Sequence, residues 1–156
     1  MTEPRNRNAY LSAVIEIDWK GVTWIGRPSD STTTPSDGPS KPEFLNIDSV
    51  VITAWNPNGE VCAASENARL NLLLRSDLEK TGMTFFDCLG RDESGQHFEE
   101  SFLVVCFAEN QAEEVLDLAR HYCQEAVFLL HAEARVLRFV KFEQKEFRQM
   151  FNWGLS

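Results

Sequence analysis

From Ser49 onward the chain changes hydrophobic period in a fixed order, and that order restricts its possible folds more than any single motif does. SVVITAW reads as a buried strand, and NPNG turns the chain, because Pro57 fixes its own φ and Gly59 accepts positive φ after Asn58. Ser65 is then the expected cap of a helix whose Leu70, Leu73, Leu74 and Leu78 share a face, with Glu66 in its first turn and Gly82 as its C-terminal stop. MTFFDCL is a strand, RDESGQ a turn, and SFLVVCF a second, more buried strand. Asn110 with Glu113 forms a capping box for a helix that carries Val115, Leu116, Ala119, Tyr122 and Cys123 on one face. AVFLLH and ARVLRFV close the series around Ala132 and Glu133.

Strand, helix, strand, strand, helix, strand is the split βαβ order of a ferredoxin-like α+β sandwich, an antiparallel sheet with two helices on one face. Before it, AYLSAVIEIDW and VTWIG flank Lys20-Gly21 and read as an N-terminal β-hairpin. The stretch 30–42, rich in Ser, Thr, Pro, Asp and Gly, lacks the apolar surface to fix itself and is expected to be a mobile surface loop. The chain as a whole, 1–156, is expected to be a single domain with its core in 10–140, followed by a C-terminal tail over 141–156. In that tail Phe147, Met150 and Phe151 have helical spacing and Trp153 follows, so Phe147, Phe151 and Trp153 form an aromatic stripe that either packs on its own domain or contacts a partner.

Charge and cysteine content narrow the function classes. A net charge of -9 leaves no clustered basic surface to track phosphates, so nucleic acid is not an expected partner. The 24 acidic residues are scattered, which suits solubility better than mimicry of DNA. Four cysteines without CxxC spacing read as reduced thiols. With no apolar segment near the ~20 residues of a bilayer span, the expected setting is the cytoplasm, without membrane contact. No cofactor is implied. Histidine spacing fails for a metal, even with Asp92, His97 and Glu99 in one turn, and Ser101 lacks a Ser/His/Asp context, so the catalytic residues are unknown.

The split βαβ topology carries polar residues from five separate segments to one sheet edge: Trp55, Asn56, Glu66, Asn67, Arg69, Arg91, Glu99, Ser101 and Gln124. Trp55 either stacks on a planar ligand or plugs the sheet end, and Asn56 either forms the turn or touches the ligand. Glu66 and Asn67 satisfy a helix N-terminus whose amides would equally serve an anion. Arg91 and Glu99 make either a structural ion pair or an anion-binding fork with its base.

Thr53-Ala54-Trp55-Asn56-Pro57, Glu66-Asn67, the Gly90 region, Glu99 with Ser101, and Gln124 before Ala126-Val127 occur in an order that resembles the bacterial domain-of-unknown-function family numbered 3293. Gly26 to Ser29 looks like an earlier short motif of that family. His97-Phe98 depart from it where an aromatic, often Trp, precedes the Glu; Cys123 departs where a Gly usually precedes the Gln, and the 30–42 loop is enlarged. The resemblance implies where a site lies and supplies no chemistry. The expectation is a small binding or regulatory module for a small polar ligand or a partner protein. The alternatives are an interaction or inhibitor protein using the acidic surface and aromatic tail, and an enzyme using Arg91 and Glu99.

Overall fold

The computed structural model describes residues 7–29, 43–131, 134–140 and 146–156. The 30–42 loop, the Ala132-Glu133 turn and the start of the tail lie outside them. A short helix α1 (Arg7–Ser12) leads into strands β1 (Val14–Trp19) and β2 (Val22–Pro28). A 3-10 turn, Glu43–Asn46, precedes β3 (Ser49–Ile52), and a second one, Pro57–Gly59, precedes helix α2 (Ala64–Thr81). Then come β4 (Thr84–Arg91), β5 (Phe98–Val105), helix α3 (Glu109–His121), β6 (Ala126–His131), β7 (Ala134–Phe139) and β8 (Glu146–Leu155). No helix among the described residues is long and apolar enough to cross a membrane.

These strands form a closed antiparallel barrel in the order β1-β2-β8-β7-β6-β3-β5-β4, which overturns the ferredoxin-like sandwich. The neighbours β6-β3-β5-β4 do pair as a split βαβ unit pairs its strands, but they are half of a closed wall and have no free edge. The N-terminal hairpin, β7 and the tail strand β8 supply the other half. Hairpin β1-β2 forms about Lys20 and Gly21, both at positive φ (50° and 82°), the conformation a two-residue hairpin turn requires. β1 continues the wall by pairing with β4, and β8 closes it by pairing with both β2 and β7. In the tail, the expected helical stripe gives way to alternation: Gln149, Phe151 and Trp153 sit opposite Arg135, Pro28 and Gly26 on one face. Period two wins because each half of the segment finds a strand partner, Glu146 to Met150 on β7 and Phe151 to Leu155 on β2.

Alternation sorts the side chains into two cores. Ile15, Ile17, Trp19, Cys88, Leu103, Val105, Val51, Leu130 and Phe151 fill the lumen, where Phe44 and Leu45 of the first 3-10 turn plug one end. Phe44 stacks edgewise on Trp19 at 5.3 Å and on Trp153 at 5.0 Å between ring centroids. Gly26 allows this packing, since a Cβ there would lie 2.4 Å from the Phe151 ring. On the outer face Val50, Ile52, Phe102 and Val104 meet Leu74, Leu78, Val115, Leu116 and Ala119 of α2 and α3. Each such side chain contributes roughly 1.5–3 kcal/mol when fully buried.

Two details of the helices differ from their sequence signals. Ala63, not Ser65, caps α2, and Gly82 ends it at φ 75° as expected. The buried face of α2 is Asn67, Asn71, Leu74 and Leu78, while Leu70 is half-buried and Leu73 is 47% exposed. In α3 the reach-back comes from Gln111, whose Oε1 accepts from the Phe107 and Ala108 amides at 2.7 and 3.3 Å; Glu113 takes no such part.

The lumen also holds Arg135, which is fully buried. Its guanidinium lies between the rings of Phe128 and Phe151, 4.3 and 4.2 Å from their centroids. It donates to the Tyr10, Leu11 and Ala13 carbonyls at 3.3, 3.0 and 2.7 Å, and Nε donates to Gln149 Oε1 at 2.9 Å. Arg135 therefore satisfies the C-terminal carbonyls of α1 and ties that helix to the barrel. Burial pushes its pKa down to about 9, still above neutrality, and the oxygens and ring faces oppose that push, so the group is charged at pH 7.

Candidate functional site

Strand alternation and antiparallel order bring the end of β3, the start of β5, the end of β4 and the start of β6 to one barrel end. There the segment Thr53–Asn56 leaves the wall, and its backbone amides need partners away from any strand. Two asparagines one helical turn apart on α2 supply them. Asn71 Oδ1 accepts from the Ala54 amide and Asn67 Oδ1 from the Asn56 amide, both at 2.9 Å, and the Trp55 amide donates to Thr53 Oγ1 at 3.1 Å. Asn71 Nδ2 and Thr53 Oγ1 both donate to the Glu100 carbonyl at 2.7 Å, which fastens the segment to β5.

Asn56 is the hub. It holds a left-handed conformation, φ 49°, that Asn tolerates better than most residues. Its Oδ1 accepts from Asn67 Nδ2 at 2.9 Å and from the Cys62 amide at 3.0 Å, and its Nδ2 donates to Glu99 Oε1 at 3.3 Å. Gln124 Nε2 donates to the Trp55 carbonyl at 3.0 Å and to the Tyr122 carbonyl at 3.3 Å, and the Asn58 amide donates to the Cys123 carbonyl at 2.7 Å. Cys123 sits at φ 55°, a conformation glycine adopts without strain, which is the physical content of a Gly before the Gln. The Asn67, Asn71 and Gln124 amides are buried and bonded to protein; this network holds the loop in place.

Several expected site residues converge here and others turn away. Arg91 and Glu99 do not pair. Glu99 lies opposite Gly90 and Arg91 opposite Phe98 in the β4-β5 register, so their side chains take opposite faces of the wall. Arg91 Nε instead donates to Glu16 Oε1 at 2.9 Å and Nη1 to the Asp92 carbonyl at 3.0 Å. Ser101 is buried and its hydroxyl donates to the Glu99 carbonyl at 3.1 Å. Glu66 and Arg69 form an exposed pair on α2, with Nη2 to Oε1 at 2.6 Å. Trp55 packs against Phe98 with ring centroids 5.4 Å apart, and its buried indole nitrogen has no partner among the described residues. In the tail, Phe151 is buried in the lumen and Trp153 is half-buried against Phe44 and Phe151, which places both in the barrel's own packing.

Burial raises the Glu99 carboxyl pKa above its ordinary value, and the Asn56 hydrogen bond offsets this only in part. A raised folded-state pKa means that the charged form costs stability at neutral pH, and that this cost fades as pH falls through the raised value and is gone below the ordinary one, about 4.3. Glu99→Gln keeps an oxygen for Asn56 and is expected to melt higher than wild type at pH 7, with the two curves merging near pH 4. Equal melting at pH 7, or a less stable variant, would mean that the carboxylate is compensated in the fold.

Beside this network lies a groove of about 440 Å³ between α2 and the C-terminal end of α3. Arg69, Leu70, Leu73, Ser76, Asp77 and Lys80 line it from α2, His121, Tyr122 and Cys123 from the end of α3, and Pro57 from the loop. The Tyr122 hydroxyl donates to Asp77, and burial first, then this acid, raises its pKa above the ordinary phenol value. The bonds from Asn58 and Gln124 fix Pro57 against Cys123, so the polar network shapes one wall of the groove. Of the groove residues only Arg69 was expected at a site. The missed signal is Asn67 and Asn71 standing i, i+4 among leucines: polar groups on the inward face rotate the leucine stripe and leave Leu73 outside.

Residues 52–127 match the family described as Protein of unknown function (DUF3293). That segment belongs to the family. Comparison with curated proteins and with solved structures returns no match. The DUF3293 segment begins at the last residue of β3 and ends within β6, so it contains α2, β4, β5 and α3 whole. Every described residue that lines the groove lies inside it, and so do Asn56, Asn67, Asn71, Glu99 and Gln124. Strands β1, β2, β7 and β8 and the lumen arginine Arg135 lie outside.

Proposed function

We propose that the protein is a binding module whose recognition surface is the groove between α2 and the end of α3, with the Thr53–Gly59 loop as its fixed wall. The carrying observation is that the described residues lining this cavity, about 440 Å³, all belong to the DUF3293 segment. Its size falls in the range of ligand pockets, and its lining combines apolar Leu70, Leu73 and Pro57 with the polar groups of Arg69, Ser76, Lys80 and His121. Such a surface suits a small polar ligand or a segment of a partner protein. The asparagine and glutamine network serves the site by positioning, because its amides are already bonded within the chain. The enzyme reading loses its central pair, since Arg91 and Glu99 take opposite faces of the wall.

A thermal-shift screen of metabolites and short peptides tests this. A ligand present at a hundred times its Kd stabilises the native state by about 2.7 kcal/mol. Leu73→Asp alters an exposed groove residue and is expected to leave unliganded melting nearly unchanged while abolishing the shift from any hit. A hit whose shift survives in Leu73→Asp places binding elsewhere.

A further inference from the structure

We infer that the occupant of the groove is a short peptide segment of a partner protein, carrying one apolar side chain flanked by carboxylates. This rests on the groove reading above and deepens it.

The groove is long. Its α2 wall repeats at Arg69, Leu73, Ser76 and Lys80, a stripe of helical spacing, and at 1.5 Å per residue it runs about 16 Å. That length matches about five residues of extended chain at roughly 3.3 Å each. A compact metabolite would leave much of it unfilled.

The chemistry along this length is ordered. The apolar part is at Leu70 and Leu73, and Leu73 is exposed although it sits on a helix whose other face is packed. Cations stand at both ends, Arg69 near the start of α2 and Lys80 in its last turn. Lys80 has no ion pair or hydrogen bond among the described residues, and His121 belongs to the same lining. Arg69 is held by Glu66, with both side chains exposed (59% and 44%). Exposed pairs of this kind contribute little, so the planar fork can exchange Glu66 for a ligand carboxylate in the same bidentate geometry. The one acid among the described lining residues, Asp77, accepts from the Tyr122 hydroxyl. Two permanent cations meet two engaged acids, Glu66 and Asp77, so on a chain of net charge -9 the groove carries less negative charge than the chain as a whole. Ser76 and the Asp77-Tyr122 pair, spaced between the ends, offer hydrogen-bonding groups to a peptide backbone.

The test uses the full chain and a synthetic peptide array. Each peptide has a central Leu or Phe, with flanks of Asp and Glu, of Ser and Asn, or of Lys. Members that bind are then measured in solution by fluorescence polarisation at low and at raised salt. The expected result is binding confined to the acidic series, weakened at least tenfold by Lys80→Glu and by Leu73→Asp, weakened less by Lys80→Gln, and reduced by salt. Equal binding of all three series, or binding unchanged in Lys80→Glu, overturns the inference. A small molecule whose shift depends on Leu73, with no peptide bound, also overturns it while leaving the groove reading intact. Failure of both ligand classes removes the groove reading itself.

Discussion

Asn71→Ala is expected to lower the unfolding free energy by about 2–3 kcal/mol, because it strands the buried Ala54 amide and takes one of two donors from the Glu100 carbonyl. In a chain of this length that corresponds to a melting-temperature drop of roughly 5–10 °C. Asn71→Leu separates the hydrogen bonds from the cavity. It restores volume and improves helix propensity, yet leaves the same backbone groups unpaired, so it is expected to recover only part of the loss. Asn67→Ala acts on the next link, freeing the Asn56 amide and the Asn56 oxygen together. Since both asparagines hold one loop, the double variant is expected to be non-additive by 0.5 kcal/mol or more, on the order seen for contacting residues. Melting of Asn71→Ala within roughly 1 °C of wild type would mean that water serves these amides as well as the side chain does.

Arg135→Ala is expected to be the most destabilising single change considered, at about 3–5 kcal/mol. It opens a cavity between Phe128 and Phe151 and takes a donor from three carbonyls of the α1 region and from the Gln149 oxygen, the Tyr10 carbonyl keeping the Ala13 amide and the Leu11 carbonyl keeping Gln149 Nε2. Arg135→Lys is not expected to rescue it. An ammonium is a point donor without the planar face that two rings cover or the fork that reaches several oxygens at once. Arg135→Met keeps part of the packing volume and none of the donors, and should fall between wild type and Ala. Because α1 is tied to the lumen through this side chain, limited proteolysis near Tyr10 should accelerate in every variant that lacks the donors. If Arg135→Ala melts with wild type, the sandwiched guanidinium contributes nothing to barrel closure.

Much of the element order was legible, and the closure was not. Hydrophobic period located β3 to β7 and both long helices, and turn chemistry located Lys20-Gly21, Pro57 to Gly59 and Gly82. In the tail, Phe147, Met150 and Phe151 satisfy a helical stripe while Phe147, Gln149, Phe151 and Trp153 satisfy a strand, and only pairing with β2 and β7 decides between them. That choice turns an open sheet into a barrel. Arg135 was hidden for a related reason: inside ARVLRFV a charged residue reads as solvent-facing until the wall closes around it.

The site was half legible. Trp55, Asn56, Asn67, Glu99 and Gln124 do meet at one barrel end, joined by hydrogen bonds that spacing alone could not draw. Arg91 fell out because one residue of register reverses the face of a side chain. The groove escaped because an exposed leucine on an amphipathic helix is assigned to the core until Asn71 is seen to occupy the inward position.

The measurement that bears most directly on the division between fixed loop and recognition groove is backbone hydrogen exchange of the full chain, with and without the tightest binder from the thermal-shift and peptide screens. Added protection is expected at residues 69–80 of α2 and at His121 to Cys123. The amides of Ala54, Trp55 and Asn56, already bonded within the protein, should exchange slowly in both states. Fast exchange at 54–56 that slows only when the binder is present, with α2 unchanged, would contradict the account and return the site to the barrel end.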